Sequence, residues 1–393
     1  MPMHNDLIPR EGFKIDVILR FFSSTVFNPA FTLPILLLAN LTNKGENLSI
    51  LHYSAFSCVK FLLCLGLIRW LNSWYSRGAI NNWQDDQYEW QAKEVVLITG
   101  GSCGIGAHVV KLLSEMGIKV VVLDIQPLTF ESSSKVHYFK CDITSKQQIA
   151  AVAEQVRSKV GHPTVLINNA GVVRGKTILD SSEKDIRFTF DVNALAHYWT
   201  VQEFLPNIIK NNHGMVVTVS SITAWVTMPN MVDYAASKHA SLAFHEGLTA
   251  ELVTRYGADK VRTVVVNQGY TRTPLFEGSH NDFPFLLPSL EPETVAEAIV
   301  RQVLTGKSGQ VIAPALATLL SAFASLPLWC QHRIRKDGSR VMRNWQGRQV
   351  VPDLDTFYRE KEEEVEGSIV MVSEVSNGRS DIPPQGAPIP DEL

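Results

Sequence analysis

Short apolar runs alternate along the middle of the chain with stretches in which apolar positions recur every three or four residues. Residues 94–99 (Glu-Val-Val-Leu-Ile-Thr) read as a buried strand closed by glycines. Residues 105–116 follow with apolar positions at Ile105, Val109, Leu112, Leu113 and Met116, a helical spacing that Gly117 stops. Further strands read at 118–123, 136–140, 164–167, 215–220 and 310–313. Strand and helix in alternation predict an α/β domain built on a parallel sheet.

The flanks follow other patterns. Residues 17–41 are apolar but interrupted by Arg20, Asn28, Pro29 and Pro34; residues 50–71 are apolar but interrupted by Lys60. Each is long enough for the ~20 residues that a spanning helix needs. The prolines predict a bend, and a lysine at mid-depth is costly unless it snorkels or finds a partner. A bent hairpin or monotopic anchor therefore competes with two full spans, and a helical extension packed on the catalytic domain is the soluble alternative. Arg69, Trp70, Trp74, Tyr75 and Arg77 resemble an interfacial belt. Asp6, Glu11 and the late apolar onset argue against a signal peptide.

On the C-terminal side, residues 316–329 are too short to span comfortably. They predict an amphiphilic helix over the substrate mouth or on the membrane surface, with a basic cluster at 331–336 that can meet anionic headgroups. From about residue 360 the tail turns acidic, then Ser/Gly/Pro-rich, a composition that predicts disorder. It closes on Pro390-Asp391-Glu392-Leu393, like a retention tetrapeptide without its usual first Lys or His. The organisation expected is an anchor over 1–91, a catalytic domain over 92–320, an amphiphilic and basic extension over 321–359, and a tail over 360–393.

Between the first strand and helix lies Thr99-Gly100-Gly101-Ser102-Cys103-Gly104-Ile105-Gly106. Such a turn points backbone N–H groups and a helix dipole at a pyrophosphate, and its glycines clear the approach. The second strand ends at Asp124, where a carboxylate accepts from adenine ribose hydroxyls and repels a 2′-phosphate. Ile125 and Gln126 bring no cation to reverse this, so NAD(H) is favoured with NADP(H) as the alternative. Asp142 and Ile143, and Asn168-Asn169-Ala170-Gly171, follow two later strands, where an open α/β sheet binds its ligand. Tyr234 and Lys238, four apart, share one face of a predicted helix, and Ser221 ends a strand thirteen residues before the tyrosine.

In this order the motifs resemble the short-chain dehydrogenase/reductase superfamily over residues 93–315. The residues 191–200, 204–206 and 211–221 resemble its 16C branch of membrane- and lipid-droplet-associated retinol, hydroxysteroid and related lipid dehydrogenases. The resemblance implies a Rossmann-type, doubly wound sheet of seven parallel strands. It implies Asn193, Ser221, Tyr234 and Lys238 as catalytic residues, with Tyr234 the general acid/base. Ser221 would hold the substrate oxygen and Asn193 a proton-relay path. The cofactor set implied is Gly100, Ser102, Gly104, Ile105, Gly106, Asp124, Asp142, Ile143, Asn169, Ala170, Gly171, Tyr234, Lys238, Gly269 and Thr273. One departure is Gln268, where the family usually has a proline before Gly269. A phenol titrates near ~10, and a neighbouring ammonium is expected to favour the phenolate.

His197 and His213 have no ligand cluster at a recognised spacing, so no metal is expected. The five cysteines form no disulfide or zinc pattern and suit a reducing compartment. A net charge of −3 offers nothing to nucleic acid. The reading is an oxidoreductase acting on a lipophilic alcohol, ketone or aldehyde at an endoplasmic-reticulum or lipid-droplet membrane, with a cytosolic catalytic domain. A homodimer is compatible with the resemblance. A specialised-metabolite ketoreductase and a non-catalytic nucleotide-binding scaffold are the alternatives.

Overall fold

The computed structural model of the 393-residue chain describes residues 3, 4, 6 and 8–363. The expected tail lies, beyond residue 363, outside the described residues. Seven strands form one parallel sheet: β1 (Val95–Thr99), β2 (Lys119–Asp124), β3 (Val136–Lys140), β4 (Val165–Asn168), β5 (Met215–Val219), β6 (Arg262–Gln268) and β7 (Gly309–Ala313). Their spatial order is β3-β2-β1-β4-β5-β6-β7. The chain therefore winds outward from β1 in one direction and from β4 in the other, and a crevice opens at the carboxyl ends of that pair.

The central strands are continuous runs of Val, Leu and Ile because both faces are covered. On one face α5 (Gly104–Glu115) and α10 (Pro292–Leu304) pack together. There Val109, Leu113, Ile299 and Val300 meet Ile98, Val122 and Val266 without solvent exposure. The other face carries α6 (Lys146–Lys159), α8 (Ala196–Asn211) and α9 (Val232–Thr254). Between them α7 (Glu183–Phe190), opened by a reciprocal Ser182–Asp185 cap, runs into a π-helical turn over Asp191–Leu195.

The N-terminal apolar stretches form helices. The first breaks into α1 (Ile15–Ser24) and α2 (Pro29–Leu41), bent by 45°. Asn28 caps α2, and Pro29 opens it. After α3 (Asn43–Leu51), α4 (Tyr53–Ala79) runs eight residues past the expected end at Leu71. Among the described residues it alone is long and apolar enough by itself to cross a membrane; the bent pair passes the same test only when taken as one span. Gly66 lets α4 approach the α1–α2 break: a Cβ there would sit 2.8 Å from the Phe27 carbonyl oxygen. Most of both helices is exposed, including Leu38, Ile68, Trp70 and Trp74.

Among its contacts with the sheet domain, this segment reaches both ends of the sheet. Asn81 and Gln84 accept from the buried Arg262 guanidinium, at the amino end of β6 (3.0 and 2.7 Å). At the other end of the sheet, Ile15 N–H donates to Phe285 O (3.2 Å) and Ala315 N–H to Asp16 Oδ2 (3.1 Å).

After β7 the expected single amphiphilic helix is instead two pieces, 3-10 turns over Ala315–Ser325 and then α11 (Leu328–Asp337). Pro327 separates them, since a proline disfavours helix at the residue before it. The basic cluster 331–336 thus lies on a helix, with the Arg335 guanidinium over the Phe323 ring. The compact unit ends at Gln349; in a second unit from Val350, residues 354–363 are helical.

Candidate active site

The phosphate turn leaves β1 and enters α5. Gly100 and Gly104 have positive φ (66° and 58°), which a side chain would strain. Gly106 has no room at all, because a Cβ would lie 2.2 Å from Gly100 O and 2.6 Å from Asn169 Nδ2. Ser102 N–H donates to Asp124 Oδ2 (2.9 Å) and Gln126 N–H to Asp124 Oδ1 (3.0 Å), tying the turn to the end of β2. Each carboxylate oxygen keeps a lone pair for a ribose hydroxyl. Ile105, partly buried, is in the first turn of α5.

Across the switch point, Thr99 Oγ1 accepts from the N–H groups of Asn169 and Ala170, both at 3.1 Å. Asn169 Nδ2 donates back to Thr99 O and Gly100 O. Cys141 N–H donates to Asp124 O, bringing the end of β3 alongside. The Asp142 carboxylate accepts from the Thr144 hydroxyl and N–H, so it shapes its own turn; Ile143 beside it is buried. Thr273 faces the phosphate turn, its methyl 3.5 Å from where a Gly104 Cβ would be. Gly269 abuts Pro314 and is held by Ala313 O. The positive-φ glycines, the bare Gly106 and the Asp124 carboxylate at the end of β2 fit a dinucleotide.

The residues expected to be catalytic gather where β5, β6 and α9 meet. Tyr234 is buried against Val173, Met231 and Met342, with the Phe276 ring edge-on at 5.7 Å. Burial pushes its phenol up to about 12, and the Ser221 hydroxyl offsets part of that rise. Lys238 Nζ lies 5.8 Å from the Tyr234 ring centroid and donates to Val219 O (2.9 Å). Burial brings its ammonium down to about 8. Loss of water around the ring outweighs the Ser221 hydrogen bond in setting the phenol's shift.

Ser221 Oγ donates to Gln268 O (3.3 Å) and accepts from Thr223 N–H, which caps a 3-10 turn over Ile222–Ala224. Gln268, which replaces the proline, therefore meets the serine through its backbone. Asn193 is on the π turn with its amide fully engaged: Oδ1 accepts from Val172 N–H, and Nδ2 donates to Val172 O and Ser237 Oγ. Gly171 is open toward this group, with Lys238 Nζ and Asn193 Oδ1 each about one van der Waals contact from its missing Cβ.

The two histidines stand apart from this chemistry. His197 is buried edge-on to Phe244, and burial with the Lys238 charge lowers it to about 3. His213 bridges Asp86 and Glu94 behind the sheet.

The sequence reading missed a third wall. Residues 341–349 return as a strap over the site. Trp345 Nε1 donates to Leu275 O, Gln346 N–H to Glu277 O, and Arg348 N–H to Pro274 O (2.9, 2.9 and 2.7 Å). Gln349 bridges Val173 O and the Arg174 guanidinium. Arg174 itself pairs with Asp185, whose carboxyl is held well below the usual range because hydrogen bonds from Lys176, Ser182 and Arg174 outweigh its burial. The only local signal for the strap is Trp345 beside Gly347. A Cβ at Gly347 would clash with Leu275 O at 2.0 Å.

A phosphate turn at the switch point of a doubly wound sheet, beside a buried phenol and ammonium, defines a nicotinamide-dependent oxidoreductase. Comparison with known proteins makes the assignment narrower. The family model for short chain dehydrogenase matches residues 94–282. Dehydrogenase RED2 of Cochliobolus heterostrophus is 46% identical over 50% of this chain and 75% of its own length. Short-chain dehydrogenase/reductase family 16C member 6 of Bos taurus is 32% identical over 70% and 86%. Human epidermal retinol dehydrogenase 2 is 35% identical over 60% and 79%. A short chain dehydrogenase from Burkholderia cenocepacia, solved in complex with NADP, superposes with a TM-score of 0.52 at 27% identity, covering 61% of this chain and 96% of that one. The chain belongs to the short-chain dehydrogenase/reductase family, resembles its 16C branch, and is an NAD(P)-dependent oxidoreductase acting on alcohols or ketones.

Proposed function

We propose that this chain interconverts a lipophilic alcohol with its ketone or aldehyde, a retinoid, steroid or other lipid, at a membrane. The observation that carries the reading is the setting of Tyr234. Val173, Met231 and Met342 enclose its ring, and Met228, Leu275, Phe276, Val341 and Trp345 pack around them. An apolar wall around the proton donor selects an apolar substrate. The membrane reading rests on the exposed apolar faces of α1, α2 and α4 and on their tie to the site end of the sheet through Phe285 and Ala315. Phe283, Phe285, Leu286, Leu319, Leu328 and Trp329 are exposed around that end. The endoplasmic reticulum or a lipid droplet suits such a chain.

Gly100, Ser102, Gly104, Ile105 and Gly106 would hold the pyrophosphate, and Asp124 the adenine ribose, which favours NAD(H). Asp142, Ile143, Asn169, Ala170, Gly171, Gly269 and Thr273 would complete the cradle. The nicotinamide supplies or accepts the hydride. For reduction, Tyr234 Oη holds the proton and delivers it to the carbonyl oxygen as negative charge develops there. Ser221 Oγ turns from Gln268 O to donate to the same oxygen. Lys238 Nζ stabilises the phenolate left behind and restores its proton. Asn193, held by Val172 and Ser237, would help complete a proton-relay water path from Lys238.

The test is turnover of NADH by membranes carrying the full chain against a panel of lipophilic ketones and aldehydes. Tyr234→Phe removes the proton and is expected to lower kcat by at least a hundredfold, the ordinary worth of a general acid. Turnover that survives this change would sink the mechanism.

A further inference from the structure

Asp124 and the residues next to it carry no cation, yet the fold delivers one. Arg348, on the strap, lies over the phosphate turn. Its Nη2 donates to Gln126 Oε1 (2.5 Å), two residues beyond Asp124, and its Nη1 lies 3.9 Å from Cys103 Sγ, at the amino end of α5. The position is built rather than incidental. Arg348 N–H is anchored on Pro274 O, Gly347 before it allows contact with Leu275 O, and Gln349 after it is held by Val173 and Arg174. Backbone on both sides is thus fixed, and the side chain reaches Gln126, two residues beyond Asp124.

The two partners of the guanidinium, Gln126 Oε1 and Cys103 Sγ, bring no carboxylate to it, and none among the described residues lies within ion-pairing distance. Two of its five N–H groups are engaged, so three are left for a ligand. A planar fork with its charge uncompensated matches a phosphate. Asp124 is turned inward by the Ser102 and Gln126 amides, one on each oxygen, which draws its charge toward the backbone.

We propose that Arg348 is a cofactor-specificity residue: its guanidinium receives the 2′-phosphate of NADP(H) beside Asp124, so the chain takes NADP(H) as well as NAD(H). This rests on the nicotinamide reading above. It revises the preference expected from the sequence, because the compensating charge comes from a residue 222 positions away from its partner Gln126.

The test needs no turnover. The full chain in detergent micelles is titrated calorimetrically with 5′-AMP and with adenosine 2′,5′-bisphosphate, which differ only in the 2′-phosphate. Wild type is expected to bind the bisphosphate at least as tightly as 5′-AMP. Arg348→Ala is expected to weaken the bisphosphate by roughly tenfold to a hundredfold, the worth of charge-assisted hydrogen bonds, with 5′-AMP affinity within about twofold. Arg348→Lys keeps most of the preference, and Arg348→Glu reverses it; their melting temperatures match wild type because the side chain is exposed. An affinity ratio that is the same in wild type, Arg348→Ala and Arg348→Glu overturns the proposal and leaves the nicotinamide reading standing. Wild type that binds neither nucleotide overturns both.

Discussion

Lys238 is asked to carry charge in a place that water does not reach. Its ammonium comes down from an ordinary 10.5 to about 8 by burial alone. The unfolded chain therefore holds more protons than the native one between those values, and wild-type stability rises with pH through that window. Below pH 8 both states are protonated and the full cost remains, about 3 kcal/mol at ~1.4 kcal/mol per pH unit. Lys238→Met is expected to melt higher than wild type at pH 7, with an advantage that shrinks from pH 8 to 10.5, while turnover is lost. Thermal melts across pH check it; an advantage that grows with pH would refute the burial argument. Tyr234, Lys238 and Ser221 could be found from the sequence because four-residue helical spacing and a strand end need only local geometry. The protonation state of Tyr234 could not, because burial by Met231, Met342 and Val173 sets it.

At the scale of the element, the glycines separate into those the turn requires and those it does not. Gly106 faces the Gly100 carbonyl, whereas Gly247 on α9 has open space where a Cβ would go. Gly106→Ala is expected to destabilise by about 1–3 kcal/mol and to weaken nucleotide binding, since the clash is with backbone. Gly247→Ala is expected to stabilise by about 0.5–1 kcal/mol, the helical preference for alanine. Chemical denaturation of the pair in parallel checks both signs. Most of the strands and α5 were legible, being short, mainly apolar runs or, for α5, a helical repeat ended by glycine; β6 (Arg262–Gln268) was not read from its own pattern. The extension after β7 was not, because Pro327 divides an apolar composition that reads as one helix into 3-10 turns and α11.

For the whole molecule the question is where so much exposed apolar surface goes. Leu38, Ile68 and Leu71 are 64%, 63% and 51% exposed, on helices most of whose residues are not buried. Wild type is expected to stay in the membrane pellet through alkaline carbonate extraction. The triple variant Leu38→Asp, Ile68→Asp, Leu71→Asp is expected to move to the supernatant, each aspartate costing about 2.5–3.5 kcal/mol in a bilayer. A triple variant that stays in the pellet would show that these faces do not hold the membrane. Ties of this segment at Arg262 and at Phe285 with Ala315 join it to both ends of the sheet.

The sequence by itself determined the α/β class, most of the strands and the phosphate turn, and it pointed to the residues proposed for the reactive centre. All of these depend on spacings of a few residues, which hydrophobic period and backbone conformation write directly into the chain. Only the tertiary structure decided the rest. It closed the centre with residues 341–349, gave Tyr234 its apolar wall, and set Arg348 beside Gln126 and Cys103. Most of these contacts join segments from about sixty to more than two hundred residues apart. They follow from how the sheet and its loops bring the chain back on itself, and no local pattern specifies them.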